Sequence, residues 1–110
     1  MSTTKVYRGS PPGAVWIEGG SGFPLSPRHD LRNHSPSGFS WGFGGSGPAQ
    51  LALALLCDAL GDEARAQRLY QQFKWEHISS LPIDGAWTMA AEDIRVWADQ
   101  AEEEPQRGAQ

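Results

Sequence analysis

The sequence predicts an α+β fold in one domain, an N-terminal β-hairpin or small antiparallel sheet packed on three α-helices. Three observations carry this. Two short runs rich in Val, Tyr, Trp and Ile flank a GSPPG turn near the start. An almost unbroken apolar run, PAQLALALLCDAL, occupies 48–60. Two later stretches repeat apolar residues at helical spacing.

The hairpin is expected from Lys5–Arg8 and Ala14–Glu18, because Gly9–Gly13 is turn chemistry. Gly19–Gly22 reads as a second turn. Phe23–Leu25 then reads as a third short strand, held to a sheet edge by Pro24 and Pro27.

The first helix is expected from about Pro48 to Leu60, with Ser46 or Gly47 as its cap and Pro48 in its first turn. With no polar stripe of its own, it should be the most buried element. Gly61 suits the residue after its end, and Asp62 can cap the next helix at once. That second helix runs from Glu63 to Phe73 and on toward His77, with Ala66, Leu69, Tyr70 and Phe73 on one face. Thr88 is the expected N-cap of a third helix, Met89 to Ala101, whose apolar face is Ile94, Trp97, Ala98 and Ala101. Leu51, Leu55, Leu69, Phe73, Ile94 and Trp97 should touch the first helix or one another. The domain is expected to span 1–101, with 102–110, EEEPQRGAQ, as a disordered tail.

At 110 residues and 39 % hydrophobic, one compact core is the expectation. No apolar run approaches the length of a membrane span, and MSTTKVYRGS lacks the apolar stretch of a secretory signal. The single cysteine, Cys57, sits in the apolar helix and reads as a buried, inert thiol. These features favour the cytoplasm. Charge is uneven. Residues 1–47 carry Lys5, Arg8, Arg28 and Arg32 against Glu18 and Asp30, a net of +2, whereas 48–110 hold five basic and eleven acidic residues, a net of −6. Direct nucleic-acid binding, which favours a basic protein, is not expected.

The polar, glycine-rich stretch from Asp30 to Gly47 feeds the N-terminus of the first helix. Arg28 just before it and its residues Asp30, Arg32, Asn33, His34, Ser35, Trp41 and Ser46 are candidate binding positions. Such an irregular segment has no ladder to satisfy its backbone. A network of Asp30, Arg32, Asn33 and His34 is therefore expected to fix Gly42–Gly47. Several chemistries compete here. Gly44-Gly45-Ser46-Gly47-Pro48 approaches a G-x-S-x-G nucleophile turn but has Pro48 in place of the final Gly; a hydrolase would need Ser46, His34 and Asp30 brought together. The Gly42–Gly47 loop could hold an anion at the helix N-terminus, aided by Arg28 or Arg32, though no P-loop lysine follows. His29, Asp30 and His34 are metal-ligand types without a metal-site spacing, so neither metal nor cofactor is expected. Trp41 and Phe39 could stack bases but at a loop-to-helix junction read as core.

The segment DLRNHSPSGFSWGFGGSGPAQLALALL, followed by LYQQFKWEHISSLP and a late helix near Trp87-Thr88, resembles a family of small bacterial proteins of unknown function carried on plasmids, phages and other mobile elements. Tyr7-Arg8-Gly9 also fits, and the resemblance covers roughly Val6 to Ala98. It brings no catalytic residue. By analogy of genetic neighbourhood it implies a non-enzymatic interaction protein, an inhibitor of a host defence complex of the anti-CRISPR kind. The partner would then be a larger host assembly, met through Glu92, Asp93 and Asp99 together with exposed aromatics such as Trp75 or Trp87.

Overall fold

A computed structural model describes residues 5–18, 24–35 and 38–103. Its elements are β1 (Val6–Ser10), β2 (Ala14–Glu18), α1 (Ser46–Leu60), α2 (Glu63–Phe73), a π-helical turn (Lys74–Ile78), β3 (Trp87–Ala90) and α3 (Ala91–Glu103). The α+β architecture predicted from sequence is the one observed.

The hairpin pairs β1 with β2 antiparallel, Tyr7 opposite Ile17 and Gly9 opposite Val15. Alternation decides the faces: Tyr7, Gly9, Val15 and Ile17 turn inward. A third strand completes the sheet in the order β2-β1-β3. It is not the Phe23–Leu25 strand expected beside the hairpin. Phe23 and the Gly19–Gly22 turn lie outside the described residues; Pro24 makes only an isolated bridge to Trp16, and the Leu25 N–H donates to the Val15 carbonyl at 3.0 Å.

The third strand comes instead from Trp87–Ala90, antiparallel to β1 with Trp87 opposite Gly9 and Met89 opposite Tyr7. Thr88, expected as a helix cap, is an exposed strand residue. The reason is non-local. β1 has a free edge, and Trp, Thr and Met at alternating positions can fill it. Helical spacing begins only at Ala91, whose N–H donates to the Lys5 carbonyl at 2.9 Å; Ala91, Ile94 and Ala98 then face the core. The helix runs past Ala101 to Glu103, because Arg65 holds the Glu102 carboxylate. The remainder of the expected tail, 104–110, lies outside the described residues.

α1 is the centre of the molecule. Twelve of its residues are buried, among them Leu51, Leu53, Leu55 and Leu56. α2, the π-helical turn and α3 all pack on it, and Tyr7 and Lys5 reach it from the sheet side at Asp58. The helix begins at Ser46, with Gly45 rather than Ser46 or Gly47 as N-cap, and no side chain caps it. At its other end Gly61 adopts φ 65° and returns its N–H to the Cys57 carbonyl, a conformation open to glycine at little cost. Asp62 follows as N-cap of α2, accepting the Arg65 N–H at 3.1 Å. Leu51, Leu55, Leu69, Phe73 and Ile94 belong to one core cluster, with Trp97 partly buried against it.

The second helix does continue beyond Phe73, but as a π-helical turn, with the Ser79 N–H bonded to the Lys74 carbonyl at 2.9 Å. One wider turn changes which side chains face in. Lys74 and Ile78 are buried, while Trp75 and Glu76 stand in solvent. Such turns cluster at functional sites.

Candidate functional site

The polar loop is held by a residue that the sequence hides inside the apolar run. Gln50 is fully buried on α1. Its Oε1 accepts the backbone N–H groups of His34 at 2.8 Å and Ser35 at 3.1 Å, and its Nε2 donates to the carbonyls of Pro27 at 2.6 Å and Arg32 at 2.9 Å. An amide has two lone pairs and two N–H bonds to give, and all are used. The His34 ring meets the Tyr70 hydroxyl at 2.7 Å, and the His29 Nε2 lies 2.9 Å from the Ser35 carbonyl.

The charged side chains of the loop fasten its outer edge. Arg28 adopts φ 57°, unusual for a residue with a side chain, and its carbonyl accepts the N–H groups of Leu31 and Arg32. Its guanidinium donates to both Asp30 oxygens, at 3.0 and 2.9 Å, and also to Glu63. That bond from Arg28 holds the Asp30 carboxyl below its ordinary range. Arg32 donates to Gln67 at 3.3 Å. Asn33, expected inside this network, is exposed and makes no side-chain hydrogen bond among the described residues. The network clamps Pro27–Ser35 to α1 and α2 rather than fixing Gly42–Gly47.

The other candidates separate as well. Ser46 is exposed at the start of α1, while His34 is engaged with Tyr70 and Asp30 with Arg28, so no Ser–His–Asp relay is assembled. Trp41 is buried, donates to the Gly85 carbonyl at 3.2 Å and meets Trp87 edge-on at a centroid distance of 5.5 Å. Trp87, an expected surface anchor, is buried against Gly9, and its Nε1 has no hydrogen-bond partner among the described residues. Burial pushes the Cys57 thiol up, away from reactivity. Among the described residues no group of three His, Cys, Asp or Glu side chains could hold a metal ion. None of the helices among them is long and apolar enough to cross a membrane.

The acidic positions of α3 are partly neutralised. Asp99 pairs with Arg65 at 3.1 Å and Glu92 with Arg95 at 2.9 Å. Asp93 has no ion pair among the described residues.

What remains on the surface is an apolar patch. Phe43, Trp75 and Ile83 are 44, 60 and 57 % exposed. All three gather on Gly42–Gly45. The Gly42 Cα sits against the backbone of Ile83, the Trp75 ring covers Gly44, and the Phe43 ring covers Gly45. A Cβ on Gly44 would come within 2.2 Å of the Trp75 ring, so this face closes only over glycine. Gly42 adopts φ 88° and donates its N–H to the Ile78 carbonyl at 3.1 Å, tying the ridge to the π-helical turn. Lys74 extends its ammonium to 4.5 Å from the Trp75 ring centroid. Sequence reading picked out Trp75 but missed Phe43 and Ile83. The signal was the alternation of aromatics with glycine in FSWGFGGSG, whose glycines are read above as a loop able to hold an anion.

No curated protein and no solved structure matches this chain. Residues 4–100 match the sequence model of a family of unknown function, DUF6166, and since that match spans nearly the whole chain, the protein belongs to this family.

Proposed function

We propose that this protein is a non-enzymatic interaction module whose contact surface is the Phe43–Trp75–Ile83 patch. The observation that carries this is the presentation of three large apolar side chains, each about half exposed, on a glycine ridge fastened to the helical core. Contiguous exposed apolar surface marks interaction sites, and aromatic anchors concentrate interface energy. The polar loop residues support this reading by being occupied with one another and with the fold.

An anion at the α1 N-terminus is the weaker reading. Aromatic rings cover Gly44 and Gly45, Pro48 removes a donor from the first turn, and Arg28 is bound to Asp30 and Glu63. The proposed partner is a protein rather than nucleic acid, in keeping with a net charge of −4. The narrower proposal is a mobile-element protein that inhibits a host defence complex through its acidic half. It rests on the family resemblance and on charge, and Glu92, Asp93 and Asp99 are its candidate contacts.

Affinity capture from a bacterial lysate tests both levels. The wild type should retain a discrete partner in fixed stoichiometry. Trp75→Ala combined with Ile83→Ser should lose it while melting as the wild type does. Retention by the patch variant would remove the patch from the proposal. Loss on reversing Glu92, Asp93 and Asp99 to Lys would move the contact to α3, and a nucleic-acid-binding assembly as partner would support the narrower reading.

A further inference from the structure

The apolar patch carries one charge that the fold leaves unanswered. Lys74 is only 8 % exposed, and its ammonium lies 4.5 Å from the centroid of the Trp75 ring. A lysine this far inside a protein usually has an anion beside it. Every other lysine and arginine among the described residues pairs with a carboxylate or, for Arg32, donates to Gln67; Lys74 does neither. Glu76, two residues on, accepts from Trp97 and Gln72 instead.

The ammonium is nonetheless open to an outside group. Trp87 Nε1 is the one sealed side-chain nitrogen or oxygen without a partner among the described residues. The Lys74 nitrogen, unpartnered among them but not sealed, therefore reaches solvent. Its buried stem and the Trp75 ring hold it in place, whereas a lysine on an open helix face swings its charge freely through water.

Its position links it to the patch. The same Trp75 ring covers Gly44, on the glycine ridge that also carries Phe43 and Ile83. A partner seated on Trp75 therefore meets the ammonium as well. A purely apolar partner would strip water from that charge and return nothing. A carboxylate placed there forms a charge-assisted hydrogen bond beside aromatic surface, where the low dielectric strengthens it. The number of charges narrows the partner further. One ammonium answers one anion, and the whole chain has a net charge of −4. A nucleic-acid strand needs several cations along its phosphates; a protein segment needs only one carboxylate met.

We infer that the patch takes a protein segment presenting an Asp or Glu carboxylate next to aromatic or aliphatic side chains, with the carboxylate seated on Lys74. This rests on the reading of Phe43, Trp75 and Ile83 as a contact surface and names the chemistry of its partner.

The test pans a random-peptide library displayed on phage against the full-length wild type, Lys74→Met and Trp75→Ala. Methionine keeps most of the buried stem and removes the charge. Wild-type selections should carry Asp or Glu adjoining apolar residues. Lys74→Met selections should keep the apolar residues and lose the acids, and Trp75→Ala should bind none of the wild-type peptides. A selected peptide should bind the wild type roughly fivefold to tenfold more tightly than its counterpart with an amide in place of the carboxylate, and raised salt should narrow that margin. This acid–amide comparison needs the wild type alone, so it decides even where Lys74→Met fails to fold. Purely apolar peptides from the wild type, or equal affinity for acid and amide, would overturn the carboxylate and leave the patch standing. Peptides indifferent to Trp75→Ala, or no enriched peptide at all, would bring down the patch as well. A thymidine oligonucleotide that displaces the peptides at lower concentration than they bind would overturn a protein as the partner.

Discussion

The backbone N–H of His34 donates to the side-chain oxygen of Gln50 at 2.8 Å, so a fully buried amide on the central helix anchors an irregular loop sixteen residues upstream. Removing that amide leaves four backbone groups of Pro27, Arg32, His34 and Ser35 without their partner. Each buried group left unpaired costs about 1–3 kcal/mol. Gln50→Ala should therefore lose at least about 3 kcal/mol in urea unfolding, a large share of a small domain's stability. Asn33→Ala, in contrast, should melt with the wild type. Equal midpoints for both variants would refute this account of the loop.

Two glycines should respond differently to alanine. At Gly9 the added methyl meets the buried Trp87 indole at 2.3 Å, and neither strand nor ring has room to give. At Gly44 it meets the far end of the exposed Trp75 ring, which can swing away. Gly9→Ala should lower the melting temperature by several degrees, on the order of 1–3 kcal/mol of overpacking. Gly44→Ala should change it little and yet weaken partner capture, because Trp75 leaves its place. Thermal melts beside capture assays separate the two effects.

Tyr7 ties the sheet to α1 through its hydroxyl, which donates to Asp58 at 2.5 Å while Lys5 pairs with the same oxygen at 3.1 Å. Burial, and then the Asp58 hydrogen bond, push the phenol well above its ordinary value of 10.0. The folded state thus keeps a proton that the unfolded chain releases near pH 10, and stability should fall as pH rises through that point. Tyr7→Phe should cost about 1–3 kcal/mol at neutral pH and flatten the alkaline loss. Urea midpoints across alkaline pH measure both.

Glu102 has the opposite sign. Arg65, with Arg68 behind it, holds its carboxyl below the ordinary 4.5. A depressed folded value stabilises above the unfolded one and ceases to do so as pH falls through the folded one. Glu102→Gln should therefore be less stable than the wild type at neutral pH, and the difference should close in acid. Both groups are partly solvated, so the neutral-pH difference should be within about 1 kcal/mol. A gap that persists in acid would point to packing instead of charge.

Local signals in the sequence determined most of the elements. The apolar run from Ala49 could only be a helix buried on most sides. Gly61 and Asp62 mark where it stops and the next starts, because a left-handed residue and a side-chain cap act within a single turn. The hairpin was likewise legible from two β-rich runs about a turn. Three decisions belonged to the tertiary structure. Trp87–Ala90 is a strand because β1, some eighty residues earlier in the chain, offers it an open edge; its own sequence suits a helix start equally well. Gln50 reads as one polar residue in a greasy helix until the carbonyls and N–H groups it serves are folded around it. Trp75 and Trp87 differ in fate because Gly9 offers one ring a buried bed, while a π-helical turn swings the other out over Gly44. Contacts between residues far apart in the chain leave no periodicity to read, and the glycines that make room for them look the same as glycines that merely bend the backbone.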